Sequence, residues 1–295
     1  MQENRAVENF YIITNRSKDP DYQVTNQIRD FLQKKGKNCY IQQDNQKRKE
    51  KGHTDSTGVP ENIDCVLVLG GDGTMLQAAA DLADLTVPFL GINLGTLGFL
   101  AEVNKTDIEH ALLRLIEGDY EIEKRMMLTG DVFQEERDMP EDSTQALNDI
   151  VLCSSAGLQV MHVVVYVNGQ YLYAYNCDGV IFATPTGSTA YNLSANGPIV
   201  NPMTNLILLT PINPHTLNAR SIVLDPYDEL VIEIESRRED GTEEAEISFD
   251  GNHKRLLHPG EKLVVHRAKE TTKMIHLRDV SFLDRIRTKL QADDD

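Results

Sequence analysis

The sequence predicts two domains: an α/β N-terminal domain built on a parallel sheet, and a C-terminal domain that is mainly β. Two observations support this prediction. In roughly the first 120 residues, apolar runs of strand length alternate with segments of helical periodicity, which is typical of parallel strands joined by helices. After that point the apolar runs are short, β-branched or aromatic, and separated by turn signals.

The first part of the chain contains three predicted strands, at residues 10–13, 63–69 and 87–92. The last two are nearly continuous apolar runs, as expected of parallel strands covered on both faces. Helices are predicted at residues 21–36, with a glycine at the end, and at residues 74–83, which are rich in Ala and Leu.

Another helix is predicted between Thr106 and Gly118. Thr106 and Glu109 have the spacing of a capping box, and Gly118 is a typical helix stop. The polar segment at residues 42–60 has no periodicity and contains a basic run at residues 47–51, so we expect a loop there.

The β-rich part includes Asn168-Gly169, a strong hairpin signal. An amphipathic helix is predicted at residues 282–290, before a short acidic tail. The predicted strands of this part are residues 160–167, 172–175, 180–183, 206–209, 229–234, 246–249 and 262–266.

The composition is that of a globular protein without a broad surface for polyanions. The chain has 295 residues, of which 40% are hydrophobic and 25% charged, so it can bury a core. Its formal net charge is -17, which argues against nucleic acid and anionic membranes as partners, because both need basic faces. Any anionic ligand then requires a local site.

Cysteine usage and the N-terminus favour a cytoplasmic location. The 4 cysteines include no C-x-x-C pair, and we expect them to be reduced thiols. The first residues lack a secretory signal pattern, and no apolar run reaches the roughly 18 residues of a membrane-spanning helix.

The sequence GGDG at residues 70–73 stands between a predicted strand and a predicted helix. In a strand, glycine loop and helix, backbone N–H groups can approach a phosphate, and the helix N-terminus adds attraction. The turn has neither the G-x-G-x-x-G spacing of a dinucleotide fingerprint nor the G-K-[ST] ending of a Walker A loop. A hairpin at Asp72-Gly73 is the simpler alternative.

The carboxylate of Asp72 within such a turn needs an explanation, since it would repel a phosphate. Beside a phosphoryl donor it could orient an attacking hydroxyl group and accept its proton, which makes Asp72 a candidate catalytic base. Two alternatives remain: ligation of magnesium through water, and capping of the following helix at Thr74 to Leu76.

Five blocks of the sequence resemble, in this order, the signature blocks of the NAD kinase family, bacterial type. The second block and the TPTGSTAY run of the fourth are far more specific than the first. The blocks are GGDGT at residues 70–74, GINLGTLGFL at 91–100, ALND at 146–149, DGVIFATPTGSTAYNLS at 178–194 and TPINPH at 210–215.

The resemblance implies a Rossmann-like domain of the NAD kinase and diacylglycerol kinase type at residues 1–124 and a β-rich NAD-binding domain at residues 125–277. It implies that the last helix, at about residues 278–295, packs back on the first domain. The implied reaction transfers the γ-phosphoryl group of ATP to the 2′-hydroxyl of the adenosine ribose of NAD, giving NADP, with Mg²⁺ or another divalent cation. A homodimer or homotetramer is expected on the same grounds.

The resemblance also implies the site residues. Asp72 matches the catalytic aspartate, and Gly73 the glycine beside the substrate. Asn148 and Asp149 match the pair that contacts the NAD ribose, and Asp178 matches an aspartate near the nicotinamide. No metal ligand is assigned. The other implied binding positions are Gln77, Asn176, Thr189, Ala190, Tyr191, Asn192, Leu193, Ser194, Asn213 and Asn252.

Simpler interpretations exist for several of these residues. Asn148-Asp149 could merely open a strand, Tyr191 could be a core aromatic residue, and residues 184–188 an ordinary loop. His215 is expected to shape the site, since no histidine or cysteine cluster has metal-ligand spacing. The basic run at 47–51 is a solvated loop or, less simply, a lid over ATP phosphates.

Four positions depart from the commonest family pattern. Asp149 replaces a glutamate, Gln77 and Asn176 stand where basic residues are frequent, and Thr96 where His or Asn is frequent. The shorter carboxylate of Asp149 still permits ribose binding. The lost charges at positions 77 and 176 leave phosphate contacts, donor preference and NAD affinity open.

Three other functions are alternatives. A lipid or sphingoid kinase shares the glycine-aspartate turn, but it would need a membrane-binding face. A catalytically silent dinucleotide sensor would be expected to lack Asp72 or a glycine of the turn, and all are present. A serine hydrolase using Ser188 lacks a G-x-S-x-G elbow.

Overall fold

The computed structural model describes residues 5–42, 56–95, 98–134, 137, 139–155, 160–216, 218–235 and 244–292. The basic run at residues 47–51 and Thr96 lie outside the described residues. The chain divides into two compact units. The first unit is Met1–Lys124 with Thr272–Asp295, and the second unit is Arg125–Thr271.

The described residues form the following helices and strands in chain order. The elements that begin before residue 125 are β1 (Asn9–Thr14), α1 (Gln23–Lys34), β2 (Asn38–Ile41), β3 (Cys65–Gly70), α2 (Asp72–Asp81), β4 (Phe89–Asn93), β5 (Val103–Asn104), α3 (Ile108–Glu117) and β6 (Glu121–Phe133). Then follow β7 (Asp142–Ala146), β8 (Asp149–Ser154), β9 (Met161–Val167), β10 (Gln170–Cys177), β11 (Gly179–Ala183), α4 (Tyr191–Ser194), β12 (Ile207–Ile212), β13 (Ile222–Leu224), β14 (Leu230–Ile234), β15 (Ala245–Phe249), β16 (His253–Leu257), β17 (Lys262–His276) and α5 (Phe282–Ala292).

The first unit is built on parallel strands in the order β2, β1, β3, β4. The end of β17 lies beside β4, also parallel, with Met274 opposite Phe89. All six residues of β3 are buried, as its continuous apolar sequence predicts for a central parallel strand. Helix α1 packs Val24, Ile28 and Leu32 into the same core, so the predicted α/β domain is confirmed.

The ends of the helices show which local signals were decisive. Helix α1 is followed by Gly36 at φ 74°, and α3 by Gly118 at φ 76°, so both predicted glycine stops are confirmed. The capping box was wrong: the N-cap of α3 is Asp107, and no side chain makes a capping hydrogen bond. Strand β2 was missed, because its residues alternate between exposed and half-buried positions at one edge of the parallel strands.

The second unit is built on antiparallel strands. One set has the order β10, β9, β14, β17, and a six-stranded sheet has the order β13, β12, β11, β8, β15, β16. The residues that face inward from both sets form one hydrophobic cluster, which includes Val165, Phe182 and Ile247. The hairpin at Asn168-Gly169 is confirmed, with φ 50° and 74° joining β9 to β10.

Several strands were not predicted. Strands β5, β6, β7, β8, β13 and β16 were missed, and β17 runs ten residues past the predicted end at His266. The extension of β17 contains charged residues at exposed positions, and backbone pairing does not depend on their polarity. The chain returns to the first unit at Thr272, on this strand.

The last helix, α5, makes contacts inside the first unit. Arg285 of this helix donates a hydrogen bond of 2.8 Å to the carbonyl oxygen of Phe99. The same guanidinium lies 3.4 Å from a carboxylate oxygen of Glu102, and both side chains are largely buried. None of the helices within the described ranges has the length and apolarity needed to cross a membrane.

Candidate functional site

The glycine turn joins the end of a strand to the start of a helix. Strand β3 ends at Gly70, Gly71 is the N-cap in an extended conformation, and α2 begins at Asp72, which excludes the hairpin alternative. A β carbon at Gly70 would overlap the side chain of Thr74. Thr74 in turn accepts a 2.9 Å hydrogen bond from Asn15 Nδ2, so the turn is packed against the loop after β1.

The carboxylate of Asp72 is held by backbone N–H groups of the loop after β4. Oδ2 accepts from Phe99 at 2.7 Å, and Oδ1 accepts from Leu100 at 3.1 Å and Ala101 at 3.3 Å. The capping alternative was wrong, since α2 has no side-chain cap. A carboxylate has about four acceptor positions, so these three bonds fix its orientation and leave room for one more donor.

Gly98 allows this arrangement. A β carbon at residue 98 would overlap the carboxylate of Asp72, and therefore a side chain there would displace it. Gly73 differs, because a β carbon at that residue would meet nothing within 4 Å. The glycine that matters for the position of Asp72 is thus distant from it in sequence.

A largely buried ion pair, Arg285 with Glu102, contacts the loop after β4. Arg285 binds the Phe99 carbonyl, and the side chains of Arg285 and Glu102 are only 11% and 7% exposed. Glu102 Oε1 also accepts a 2.8 Å hydrogen bond from the Leu277 N–H, and the same oxygen lies 3.0 Å from Nδ1 of His276. A buried carboxylate needs such partners, because an unpaired one is costly.

Lys18 is a residue near the turn that the sequence analysis missed. Its Nζ would lie 2.9 Å from a β carbon on Gly71 and 3.3 Å from one on Gly95. The signal that could have found it is the basic segment 16–18 directly after β1, because ligands of open α/β sheets bind outside the carboxyl ends of the strands.

Gln77, a predicted binding residue, donates a 2.8 Å hydrogen bond to Asp81 within α2.

Asn148 and Asp149 lie at the start of β8 in the second unit, so the pair does open a strand. Both are buried, with 9% and 5% exposure. Among the described residues, Asn148 Oδ1 has no hydrogen-bond partner, although it is buried. Such an acceptor needs a donor, and a ligand hydroxyl group would supply one.

Asp250, in the turn after β15, is a second carboxylate close enough to interact with Asp149. Burial raises the pKa of Asp149 to about 7, and the like charge of Asp250 contributes to the same shift. Burial also raises the pKa of Asp250 to about 6, although hydrogen bonds from the N–H groups of residues 147–149 act in the opposite direction. No sequence motif pointed to a role for Asp250.

The loop at residues 184–189 packs directly against Asn148. Thr184 Oγ1 donates a 2.6 Å hydrogen bond to the Leu147 carbonyl, and a β carbon at Gly187 would overlap the backbone of Asn148. Thr186 Oγ1 is buried without a partner among the described residues. Ser188 is fully buried and bonds to backbone groups of Pro185 and Val200, so it is no nucleophile.

The TAYNLS segment at residues 189–194 ends a short 3₁₀ helix and forms α4. Tyr191 is 47% exposed, which excludes the core-aromatic interpretation. Asn192 is fully buried, and its amide bonds Ser188, Pro198 and Thr210, so its role is structural. The segment's other side chains are half-buried or exposed: Thr189, Ala190, Leu193 and Ser194.

A cluster of polar residues lies at the ends of strands β10 and β12. Asp178 Oδ2 accepts a 2.9 Å hydrogen bond from Asn213 Nδ2. Asn176 Oδ1 lies 2.9 Å from Nδ1 of His162, and the Asn176 carbonyl accepts from the His215 N–H at 2.7 Å. The structure therefore brings Asn176, Asp178 and Asn213 together.

Asn252 is the last of the predicted binding residues along the chain. Asn252 is exposed in the turn between β15 and β16, two residues after Asp250. Across the described ranges, no group of three or more His, Cys, Asp or Glu side chains comes together to hold a metal ion.

Comparisons with known proteins agree with this geometry. Residues 10–120 match the family model for the ATP-NAD kinase N-terminal domain, and residues 147–277 match that for the ATP-NAD kinase C-terminal domain. The NAD kinase of Lachnoclostridium phytofermentans is 41% identical over 283 residues, which is 96% of this chain and 99% of that protein. The NAD kinase of Agathobacter rectalis is 42% identical over 284 residues, with coverage of 96% and 99%.

Two solved structures have the same fold. Yeast NADH kinase, complexed with NADH, superposes with a TM-score of 0.81 at 22% identity, covering 97% of this chain and 88% of that one. An NAD kinase from Archaeoglobus fulgidus, in complex with ATP, gives a TM-score of 0.73 at 22% identity, with coverage of 92% and 94%. The chain therefore belongs to the NAD kinase family, phosphotransferases whose acceptor is an alcohol, the 2′-hydroxyl of NAD.

Proposed function

We propose that this protein transfers the γ-phosphoryl group of ATP to the 2′-hydroxyl of the adenosine ribose of NAD, giving NADP and ADP. The observation that supports this most directly is the orientation of Asp72, a carboxylate fixed at a glycine turn with one acceptor position left for a hydroxyl group. The solved relatives named above were bound to NADH and to ATP, the two classes of ligand that this reaction needs.

The first unit supplies the groups for phosphoryl transfer. Backbone N–H groups at Gly71 and Gly73, with the N-terminus of α2, bind phosphate oxygens, and the Lys18 ammonium adds a positive charge beside Gly71. Asp72 orients the 2′-hydroxyl and accepts its proton. The ribose oxygen then forms a bond to the γ-phosphorus as the bond to the ADP oxygen breaks, and Asp72 releases the proton to solvent.

The second unit supplies the groups that bind NAD. Asn148 Oδ1 accepts a hydrogen bond from a ribose hydroxyl, which satisfies its buried lone pairs, and ionised Asp149 accepts from the neighbouring hydroxyl. Asp178, held by Asn213, faces the nicotinamide carboxamide, and the exposed ring of Tyr191 stacks on a base. The remaining contacts with NAD come from Gly73, Asn176, Thr189, Ala190, Leu193, Ser194 and Asn252.

Magnesium fits this chain as a partner of ATP. The described residues offer no preformed cage of three ligands, and Mg²⁺ commonly keeps its waters and binds through substrate phosphates. When bound, the ion neutralises phosphate charge. Because the carboxylate of Asp72 is already occupied by three N–H groups, we assign no protein ligand and no catalytic step to the ion.

One assay tests the proposal. The protein is incubated with Mg²⁺, ATP and NAD, and NADP formation is followed for the wild type and Asp72→Asn, with polyphosphate and NADH as alternative donor and acceptor. NADP formation that depends on Asp72 is expected. If the wild type forms no NADP with any donor, the proposed reaction is wrong.

We also propose a cytoplasmic location and a homodimer or homotetramer. The pattern of four thiols without a disulfide supports a reducing compartment. Gel filtration with light scattering tests the assembly, and a mass near the 33.1 kDa of one chain would contradict it.

A further inference from the structure

Asp250 occupies the turn between β15 and β16, and its backbone has φ 50°, followed by Gly251 at φ 71°. An aspartate before glycine is common in such hairpins for conformational reasons alone, so its presence needs no functional explanation. Its side chain, however, is half-buried. The carboxylate turns toward the start of β8, where it makes three hydrogen bonds.

These three bonds fix the peptide groups that precede the two NAD-binding side chains. Oδ2 accepts from the Leu147 N–H at 2.8 Å, and Oδ1 accepts from Asn148 at 2.7 Å and from Asp149 at 3.1 Å. The Asp250 N–H donates to the Asp149 carbonyl at 3.0 Å. One aspartate thus satisfies three consecutive N–H groups and binds back to the third residue.

The opposite side of the same segment is fixed by the loop at residues 184–187. The Thr184 N–H donates to the Asn148 carbonyl at 2.8 Å, and Thr184 Oγ1 donates to the Leu147 carbonyl at 2.6 Å. With its backbone held from both sides, Asn148 keeps Oδ1 free of protein donors within the described residues. This acceptor is therefore in place before a ligand arrives.

We propose that Asp250 is a positioning residue for NAD binding, which fixes the backbone of residues 147–149 so that the side chains of Asn148 and Asp149 are preorganised for the ribose hydroxyls. The inference rests on the proposed role of Asn148 and Asp149 in binding NAD. Preorganisation matters here because a ligand that had to order this segment would lose affinity.

The charge of Asp250 adds a second effect. Burial raises the pKa of Asp149 to about 7, and the like charge of Asp250 adds to this shift. Ribose hydroxyls donate to the ionised carboxylate, so NAD binding to the wild type strengthens as the pH rises through 7. Replacing Asp250 by a neutral residue removes the repulsion and lowers the pKa of Asp149, which moves this transition to lower pH.

The test measures NAD binding by titration calorimetry between pH 5.5 and 8.5, without ATP, for the wild type, Asp250→Asn, Asp250→Glu and Asp149→Asn. Asp250→Asn cannot accept from all three N–H groups, and we expect roughly tenfold weaker binding and a transition at lower pH. Asp250→Glu keeps the charge but displaces the oxygens, so it should weaken binding with little change in the transition. Asp149→Asn should abolish the transition.

The outcomes separate this inference from the proposed function. Wild-type affinity and an unshifted transition in Asp250→Asn would overturn the positioning role. If that variant does not fold, Asp250→Glu decides, and unchanged affinity there would overturn it equally. A wild type that binds no NAD at any pH would instead refute the proposed function.

Discussion

Phe99 connects Arg285 to Asp72 through one peptide unit on each side: its N–H donates to Asp72 Oδ2 at 2.7 Å, and its carbonyl accepts from Arg285 Nη1 at 2.8 Å. The orientation of the candidate catalytic carboxylate therefore depends on a residue of the last helix.

Asp72→Asn tests the carboxylate itself. The amide presents an NH₂ group to at least one backbone donor and cannot take a proton from the 2′-hydroxyl. We expect kcat to fall by roughly 10²–10⁴-fold from lost acid–base catalysis alone, with NAD binding retained. Steady-state kinetics and calorimetry with NAD check this. A much smaller loss would indicate that Asp72 orients the hydroxyl without accepting its proton, and undiminished activity would exclude both roles.

Arg285→Met removes the donor to the Phe99 carbonyl and one partner of the buried Glu102. We expect the free energy of unfolding to fall by about 1–3 kcal/mol, because the Phe99 carbonyl loses its hydrogen bond from Arg285 and the largely buried Glu102 loses a cationic partner. We also expect a lower kcat with an unchanged KM for NAD, since Asp72 loses its fixed position. Denaturant unfolding and kinetics measure the two effects.

Arg287→Met is the matched control for that change. Arg287 lies on the same helix, is 66% exposed, and pairs only with the exposed Asp284 among its described contacts. Surface ion pairs of this kind contribute little, so both stability and kcat should stay near wild type. Equal effects of the two substitutions would show that the helix, and not the Arg285 contact, is responsible.

Gly98→Ala tests the close approach of the loop to Asp72. A methyl group there overlaps the carboxylate, so either the loop or Asp72 must move. We expect roughly a 100-fold loss of kcat, comparable with misplacing a catalytic group by about 1 Å. Gly58→Ala is the control, since its β carbon meets nothing within 4 Å. Wild-type kinetics in Gly98→Ala would contradict the fixed geometry.

Lys18→Gln tests the positive charge beside the glycine turn. If the ammonium contacts a donor phosphate, its loss should raise the KM for ATP roughly tenfold, while the KM for NAD stays constant. Raising the salt concentration should weaken ATP binding more in the wild type than in the variant. Lys34→Gln, an exposed lysine at the end of α1, is the control. An ATP KM that is equal in both variants would rule out the contact.

Asp149→Asn tests the pH dependence of stability. The folded protein holds the pKa of Asp149 at about 7, above the ordinary value of 3.8, so the folded state binds this proton more tightly than the unfolded state. The free energy of unfolding therefore falls as the pH rises from about 4 to 7, by at most about 4 kcal/mol from this group.

The variant lacks this titration, so its stability relative to wild type should increase between pH 5 and pH 8 in urea unfolding. Asp84→Asn, at an exposed position, corrects for the general effect of removing one negative charge from an acidic protein. If the two variants show the same pH dependence relative to wild type, Asp149 does not titrate abnormally.

Local sequence determined the elements whose signals depend on near neighbours. The buried run before Gly70 specifies a central strand, helical composition after Thr74 specifies a helix, and together they place Asp72 at a strand-to-helix turn. Asn168-Gly169 and Gly118 determined a hairpin and a helix end because only a few residue types tolerate positive φ. The family motifs predicted Asp72 and Asn148 as site residues by type and spacing.

Only the tertiary structure decided how those residues are held. Asp72 accepts hydrogen bonds from the backbone N–H groups of Phe99 to Ala101, and Asp250 accepts from those of residues 147–149. Because nearly every residue type has a backbone N–H group, no sequence motif predicts these contacts. Arg285 and Lys18 likewise lie far in sequence from Phe99 and Gly71, the residues that they approach, so no local pattern predicts these contacts. Asn192 shows the converse: its type suggested a ligand contact, but burial and three protein partners make it structural. Sequence therefore fixes which chemical groups are available, whereas long-range packing decides which of them remain free for a ligand.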